Sequence, residues 1–177
     1  IFIEESKLPY DELYLFSSPK SAGEVLTVNG KDYTVEALDE TSFDRGIHIA
    51  LFSAGGDTSL KYAPIAAAKG CVVIDNSSAW RMDPTVPLVV PEVNPEAIAE
   101  HSGIIANPNC SIIQAMVALR PIQKAYGLKR VAYATYQSVS GSGVAGIRDL
   151  ENGLKGIAPR SEERRVGKKC RSRWWAY

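Results

Sequence analysis

Cys110 is the side chain best placed for covalent chemistry. It lies in the run Ala106-Asn107-Pro108-Asn109-Cys110-Ser111-Ile112-Ile113-Gln114. A strand-like triplet, residues 104–106, ends in a proline turn, and an apolar-periodic segment over 112–125 follows. Pro108 disfavours helix at Asn107, and Asn109, Cys110 or Ser111 can cap the helix that comes next. A thiol at a helix N-terminus meets unpaired N–H groups and the positive end of the helix dipole. Both favour the thiolate, the form that attacks carbonyl carbon. Taken alone, a free cysteine is more often a small buried hydrophobe. The setting of strand, turn, cysteine and helix is what separates Cys110 from Cys71, which sits inside an apolar run and reads as packing. A second polar stretch, Tyr136-Gln137-Ser138-Val139-Ser140-Gly141-Ser142-Gly143, also leads from a strand into a glycine-rich turn.

The elements around these residues alternate between strand and helix patterns, which predicts an α/β fold. Residues 1–12 read as a helix closing near Pro9, and 13–16 as a short strand. Residues 24–28 and 31–36 read as a hairpin about Asn29-Gly30. A buried strand over 47–52 runs into Ser53-Ala54-Gly55-Gly56. There, glycines allow close backbone approach at a strand's carboxyl end, although a Gly-Gly pair is also simply a turn. Residues 59–69 form an alanine-rich helix that Pro64 is expected to kink or delay. Further strands are predicted over 71–75 and 128–136, with helices over 112–126 and 144–154. Residues 84–95, bounded by prolines, read as an extended crossing segment that leads into a short helix over 95–100.

Composition excludes several classes. The 177 residues are 45% hydrophobic and 23% charged, ordinary for a globular protein. No run of 18 apolar residues is present, so no membrane span is expected. Three cysteines without paired spacing fit a reducing, cytoplasmic setting. Residues 160–177 carry seven of the 20 basic side chains and two of the 20 acidic ones, which leaves the remainder at net −5. An acidic body gives no indication of nucleic-acid binding. No metal-ligand spacing stands out. His48 and His101 read as structural or surface residues.

Five segments, in order, resemble one family: Lys20-Ser21-Ala22-Gly23, Phe52-Ser53-Ala54-Gly55-Gly56, Asp75 to Arg81, Asn107-Pro108-Asn109-Cys110-Ser111, and the Gln-x-x-Ser-Gly-x-Gly pattern that begins 27 positions after the cysteine. Over residues 1–155 the chain is similar to aspartate-semialdehyde dehydrogenase, the NADP-dependent phosphorylating enzymes. The resemblance implies an incomplete doubly wound, Rossmann-type parallel sheet over 1–108, followed by the start of an α+β catalytic domain over 109–159. It implies that Cys110 forms an acyl-enzyme and Gln137 orients the substrate, with Arg81 and Asn109 on the phosphate. A guanidinium suits that task because it stays charged and presents parallel donors, although by spacing alone Arg81 reads as a surface residue. NADP would lie against Ser53, Ala54, Gly55, Gly56, Ser140, Gly141 and Gly143.

Lys20 and Ser21 stand where a dinucleotide fold for NAD would carry an acidic residue. A cation among hydroxyls suits a 2′-phosphate, and a solvated turn fits the same residues. The family has arginine where Lys20 stands. Lysine keeps the charge and loses the planar fork, so a weaker NADP preference is expected.

The implied reaction converts 4-aspartyl phosphate to aspartate 4-semialdehyde, with small-molecule partners only and a homo-oligomer in the full-length family enzymes. N-acetyl-gamma-glutamyl-phosphate reductase shares the thioester logic but carries Gly-Cys-Tyr where this chain has Asn109-Cys110-Ser111. A non-catalytic nucleotide-binding fragment is the reading from another class. The start lacks an initiator Met and a signal-peptide pattern. The family's glycine-rich pyrophosphate turn and its later arginine and histidine region find no match here. Negligible turnover by the 177-residue chain itself is therefore expected. The basic, Trp-containing stretch 160–177 has the composition of a nucleic-acid or anionic-lipid binder, but reads better as translated adaptor sequence.

Overall fold

The computed structural model describes residues 2–6, 9–135 and 138–155. The chain divides into two units, residues 1–128 and 129–177.

In the first unit, helix α1 (Phe2–Ser6) is shorter than the predicted 1–12. Residues 9–14 are irregular, since Pro9 offers no N–H to a helical ladder. Strand β1 (Leu15–Ser17) pairs in parallel with β3 (Lys31–Ala37), and β2 (Val25–Val28) pairs antiparallel with β3. The β2–β3 hairpin turns on Asn29 (φ 51°) and Gly30 (φ 76°). Two successive positive φ values are what a two-residue hairpin turn demands, and the Asn-Gly pair supplies them.

The second sheet carries the candidate chemistry. Strands β4 (Ile49–Phe52), β5 (Val72–Asp75) and β6 (Ile104–Ala106) lie in that order, all parallel. Helix α2 (Gly56–Ala68) packs on this sheet and joins β4 to β5. It begins at Gly56, earlier than the predicted 59, with Pro64 within it rather than delaying it. Gly55, at φ 91° and ψ 167°, turns the chain directly into the helix. The predicted crossing segment extends the sheet. Ala106 N–H donates to Pro87 O at 2.9 Å and Val89 N–H to Ala106 O at 3.0 Å, so residues 87–89 line the outer edge of β6. Residues Pro95–Glu100 then make a 3₁₀ turn.

The core between sheet and helix is formed by Phe43, Phe52, Ala63, Ala66, Cys71, Val73 and Ile104. Gly103 has to be glycine. Its φ is +100°, and a Cβ there would lie 2.7 Å from Ala67 Cβ, so α2 meets the entry to β6 at backbone distance. Helix α3 (Cys110–Tyr126) follows β6.

In the second unit, residues 129–135 form no strand where one was predicted over 128–136. A strand needs a neighbour to take its N–H and C=O groups, and no described residue does so. Residues Val139–Ser142 make a 3₁₀ turn, and α4 (Gly143–Leu154) follows.

Candidate active site

Parallel strands bring their carboxyl ends to one edge of the sheet, and three loops leave from that edge: 53–55 after β4, 76–81 after β5, and 107–109 after β6. Ligands of open α/β sheets bind at such an edge.

Cys110 is the first residue of α3, two positions earlier than the helix start its apolar period suggested, and it is exposed. Asn109 is the N-cap. Its Oδ1 accepts from Ser111 N–H at 2.9 Å, which satisfies one of the helix's otherwise unpaired donors. Cys71 is buried with 1% exposure, and burial pushes its thiol up from 9.0, as expected of a packing residue.

Arg81 reaches from the β5 loop to the cysteine turn. Its Nε donates to Asn107 O at 2.9 Å and its Nη2 to Asn76 O at 2.9 Å. Asn107 Nδ2 also donates to Asn76 Oδ1, and Asn107 N–H to Asp75 O at 2.8 Å. Below these contacts Asp75 is fully buried. Its Oδ2 accepts from Ser77 Oγ at 2.7 Å, and Ser77 Oγ in turn accepts from Ala79 N–H at 3.1 Å. A carboxylate therefore shapes the turn that carries Arg81. Asp75, Asn76 and Asn107 were not singled out individually as site residues in the sequence. The signal available for them was their place inside the motifs that hold Arg81 and Cys110.

Gly55 is the N-cap of α2 and carries no side-chain cap; a Cβ at Gly55 or Gly56 would meet nothing within 4 Å. Ser53, Ala54 and Gly55 are exposed, so the first turn of this 13-residue helix opens beside the sheet edge. Such a helix start suits an anionic nucleotide group. Lys20 is exposed in the turn after β1, where Ser21 N–H donates to Ser18 O at 3.0 Å.

In the second unit, the Ser138 and Ser140 hydroxyls are 2.7 Å apart, Gly141 N–H donates to Ser138 O, and Gly143 opens α4. Gln137 lies outside the described residues. His101 Nδ1 accepts from Gly103 N–H at 2.9 Å, a structural contact, and His48 is exposed just before β4. Among the described residues no cluster of His, Cys, Asp and Glu could hold a metal ion. Among them, too, no helix is long and apolar enough to cross a membrane.

A family model described as semialdehyde dehydrogenase, NAD binding domain, matches residues 2–101. The chain belongs to the semialdehyde dehydrogenase family. Aspartate-semialdehyde dehydrogenase of Aquifex aeolicus is 59% identical over 155 residues, covering 86% of this chain and 46% of the relative. The Bacillus subtilis enzyme of that name is 49% identical over 160 residues, covering 90% and 46%. Among solved structures, aspartate semialdehyde dehydrogenase II from Vibrio cholerae, complexed with ASA, superposes at a TM-score of 0.78 with 51% identity. The match covers 90% of this chain and 49% of that one. The chain thus spans just under half the length of the relatives it matches.

Proposed function

We propose that this chain supplies a nucleotide-binding portion and the nucleophile of an NADP-dependent, phosphorylating aspartate-semialdehyde dehydrogenase. The reaction converts 4-aspartyl phosphate to aspartate 4-semialdehyde and phosphate. The observation that carries this reading is an exposed Cys110 opening α3, on a turn that Arg81 grips through Asn107 O.

Cys110, as thiolate, attacks the acyl carbon of 4-aspartyl phosphate. A C–S bond forms, the C–O bond to phosphate breaks, and phosphate leaves with the bonding pair. The product is a thioester on Sγ, and covalent catalysis has divided one hard step into two. Arg81 and Asn109 hold the phosphate, and Gln137 orients the substrate. NADPH held by the residues named below would supply the hydride that brings the thioester to the aldehyde oxidation level, and Cys110 Sγ then departs as thiolate.

Lys20 and Ser21 recognise the 2′-phosphate that distinguishes NADP from NAD. Ser53, Ala54, Gly55 and Gly56 hold the nucleotide beside α2, and Ser140, Gly141 and Gly143 complete the cofactor contacts. The open Gly55 start of α2 supports this assignment. In this reading residues 1–108 are the nucleotide-binding domain and 109–159 the beginning of the catalytic and dimerisation domain. The whole enzyme is cytoplasmic and homo-oligomeric, with small molecules as its partners.

Phosphate release tests the proposal. Mixing the chain with 4-aspartyl phosphate, without nucleotide, is expected to release one phosphate per chain in a burst that Cys110→Ala abolishes. Equal release from wild type and Cys110→Ala would contradict it.

A further inference from the structure

We infer that Asn76 and Asn107 form a latch that positions Cys110. The proposal deepens the thioester reading above and rests on it for its chemical purpose. Asn107 lies three residues before the cysteine, on the far side of Pro108, and three contacts converge on it. Its N–H donates to Asp75 O at 2.8 Å, its carbonyl accepts from Arg81 Nε at 2.9 Å, and its side-chain amide donates to Asn76 Oδ1. Arg81 Nη2 closes the ring on Asn76 O at 2.9 Å. The loops after β5 and β6 are thereby joined twice over, by backbone and by side chain.

Asn109, with its Oδ1 on Ser111 N–H, carries the fixed geometry from that turn into the first turn of α3. The sheet also anchors the latch. Asn76 N–H donates to Phe52 O at 2.8 Å, so Asn76 is held by the neighbouring strand β4 as well as by the β6 turn. A nucleophile on a short turn gains accuracy when such fixed contacts hold the turn, because reaction rate falls steeply with misplacement. Neither asparagine needs to touch the substrate, so both are positioning residues. Asn76 offers an acceptor and Asn107 a donor, which defines what each replacement should do.

The test uses Asn76→Ala, Asn107→Ala, the double variant and Asn76→Asp in the full chain, with two readouts. The first is the single-turnover rate of Cys110 acylation by 4-aspartyl phosphate as its concentration is varied. The second is the pH-independent maximum rate of Cys110 alkylation by neutral iodoacetamide. Each alanine variant is expected to lower the maximum acylation rate about tenfold, well inside what a misplaced reacting group can lose. Half-saturation should change less than about twofold, because misplacement acts on the reacting geometry rather than on uniform binding. The double variant should lose no more than the larger single loss, since one contact is removed in all three. Asn76→Asp, which keeps the acceptor oxygen, should recover the rate. Asn76→Ser and Asn107→Ser, with shorter side chains, replace the corresponding alanine variant if it fails to fold.

Alanine variants at wild-type rate, losses that multiply in the double, or a change confined to half-saturation would overturn the latch. No acylation of wild type, with each alanine variant still lowering the maximum rate of Cys110 alkylation and Asn76→Asp restoring it, would contradict the proposed reaction and leave the latch standing.

Discussion

Trp80 Nε1 donates to Ser59 Oγ at 2.9 Å, across 21 residues of sequence, and ties the loop that carries Arg81 to the buried face of α2. Ser59 is 1% exposed, so bulk water does not reach its hydroxyl. Ser59→Ala leaves the indole N–H without its acceptor and is expected to cost about 1–3 kcal/mol. Trp80→Phe in the Ser59→Ala background should cost less than it does in wild type. Urea unfolding of the four proteins measures both effects, and additive losses would show that the bond contributes nothing.

Glycine replacements should separate crowding from backbone strain. Gly103→Ala faces both, with a Cβ 2.7 Å from Ala67 Cβ at φ +100°. An overpacked site of this kind costs about 1–3 kcal/mol beyond the strain. Gly55→Ala at φ +91° has open space and suffers the conformational cost alone, about 1–2 kcal/mol. Thermal unfolding should rank Gly103→Ala as the more damaging change, whereas nucleotide titration should single out Gly55→Ala.

The thiols should differ in reactivity. Cys110 is exposed, whereas Cys71 is buried and its thiol is raised by burial. Alkylation of the folded chain followed by peptide mapping is expected to label Cys110 well before Cys71. The Cys71 shift also has a consequence for stability. A folded-state value above the unfolded one keeps the thiol neutral in the fold. Its contribution is complete below about pH 9 and is lost as pH rises toward the folded value. Cys71→Ala should remove that alkaline slope, and unfolding curves across the alkaline range measure it.

On the acid side, Asp39 titrates below its ordinary 3.8, chiefly because Thr41 Oγ1 and N–H donate to its Oδ1, with Ser42 adding to the effect. A lowered carboxyl stabilises the fold above the unfolded value and ceases to do so as pH falls through the folded one. Thr41→Val should move the Asp39 carbon resonance midpoint upward toward 3.8 in an NMR titration. An unchanged midpoint would assign the shift elsewhere.

Much of this arrangement was legible locally. Asn29-Gly30 fixed a hairpin because only such residues take two positive φ values cheaply, and Gly55 marked the passage from β4 into α2. The strand patterns over 47–52, 71–75 and 104–106 marked β4, β5 and β6, and the family resemblance implied the parallel sheet that they form. The latch was not legible. Arg81 and Asn107 are 26 residues apart and Asn76 and Asn107 are 31, so only the pairing of β5 with β6 brings them together. The strand predicted over 128–136 failed for the complementary reason: apolar alternation suggests a strand, but a partner must complete it.

Cofactor choice should follow Lys20. Lys20→Ala is expected to weaken NADP binding about tenfold, the scale of one charge-assisted hydrogen bond, with NAD binding little changed. Titration of both nucleotides, repeated at higher salt, checks this. Equal losses for the two would remove Lys20 from 2′-phosphate recognition.

Peptide-resolved mass spectrometry of the chain quenched in acid during reaction with 4-aspartyl phosphate tests the thioester directly. One aspartyl adduct per chain is expected, on the peptide containing Cys110, labile to hydroxylamine and absent in Cys110→Ser. An adduct on Cys71 or Cys170, or none at all on a folded chain, would contradict it.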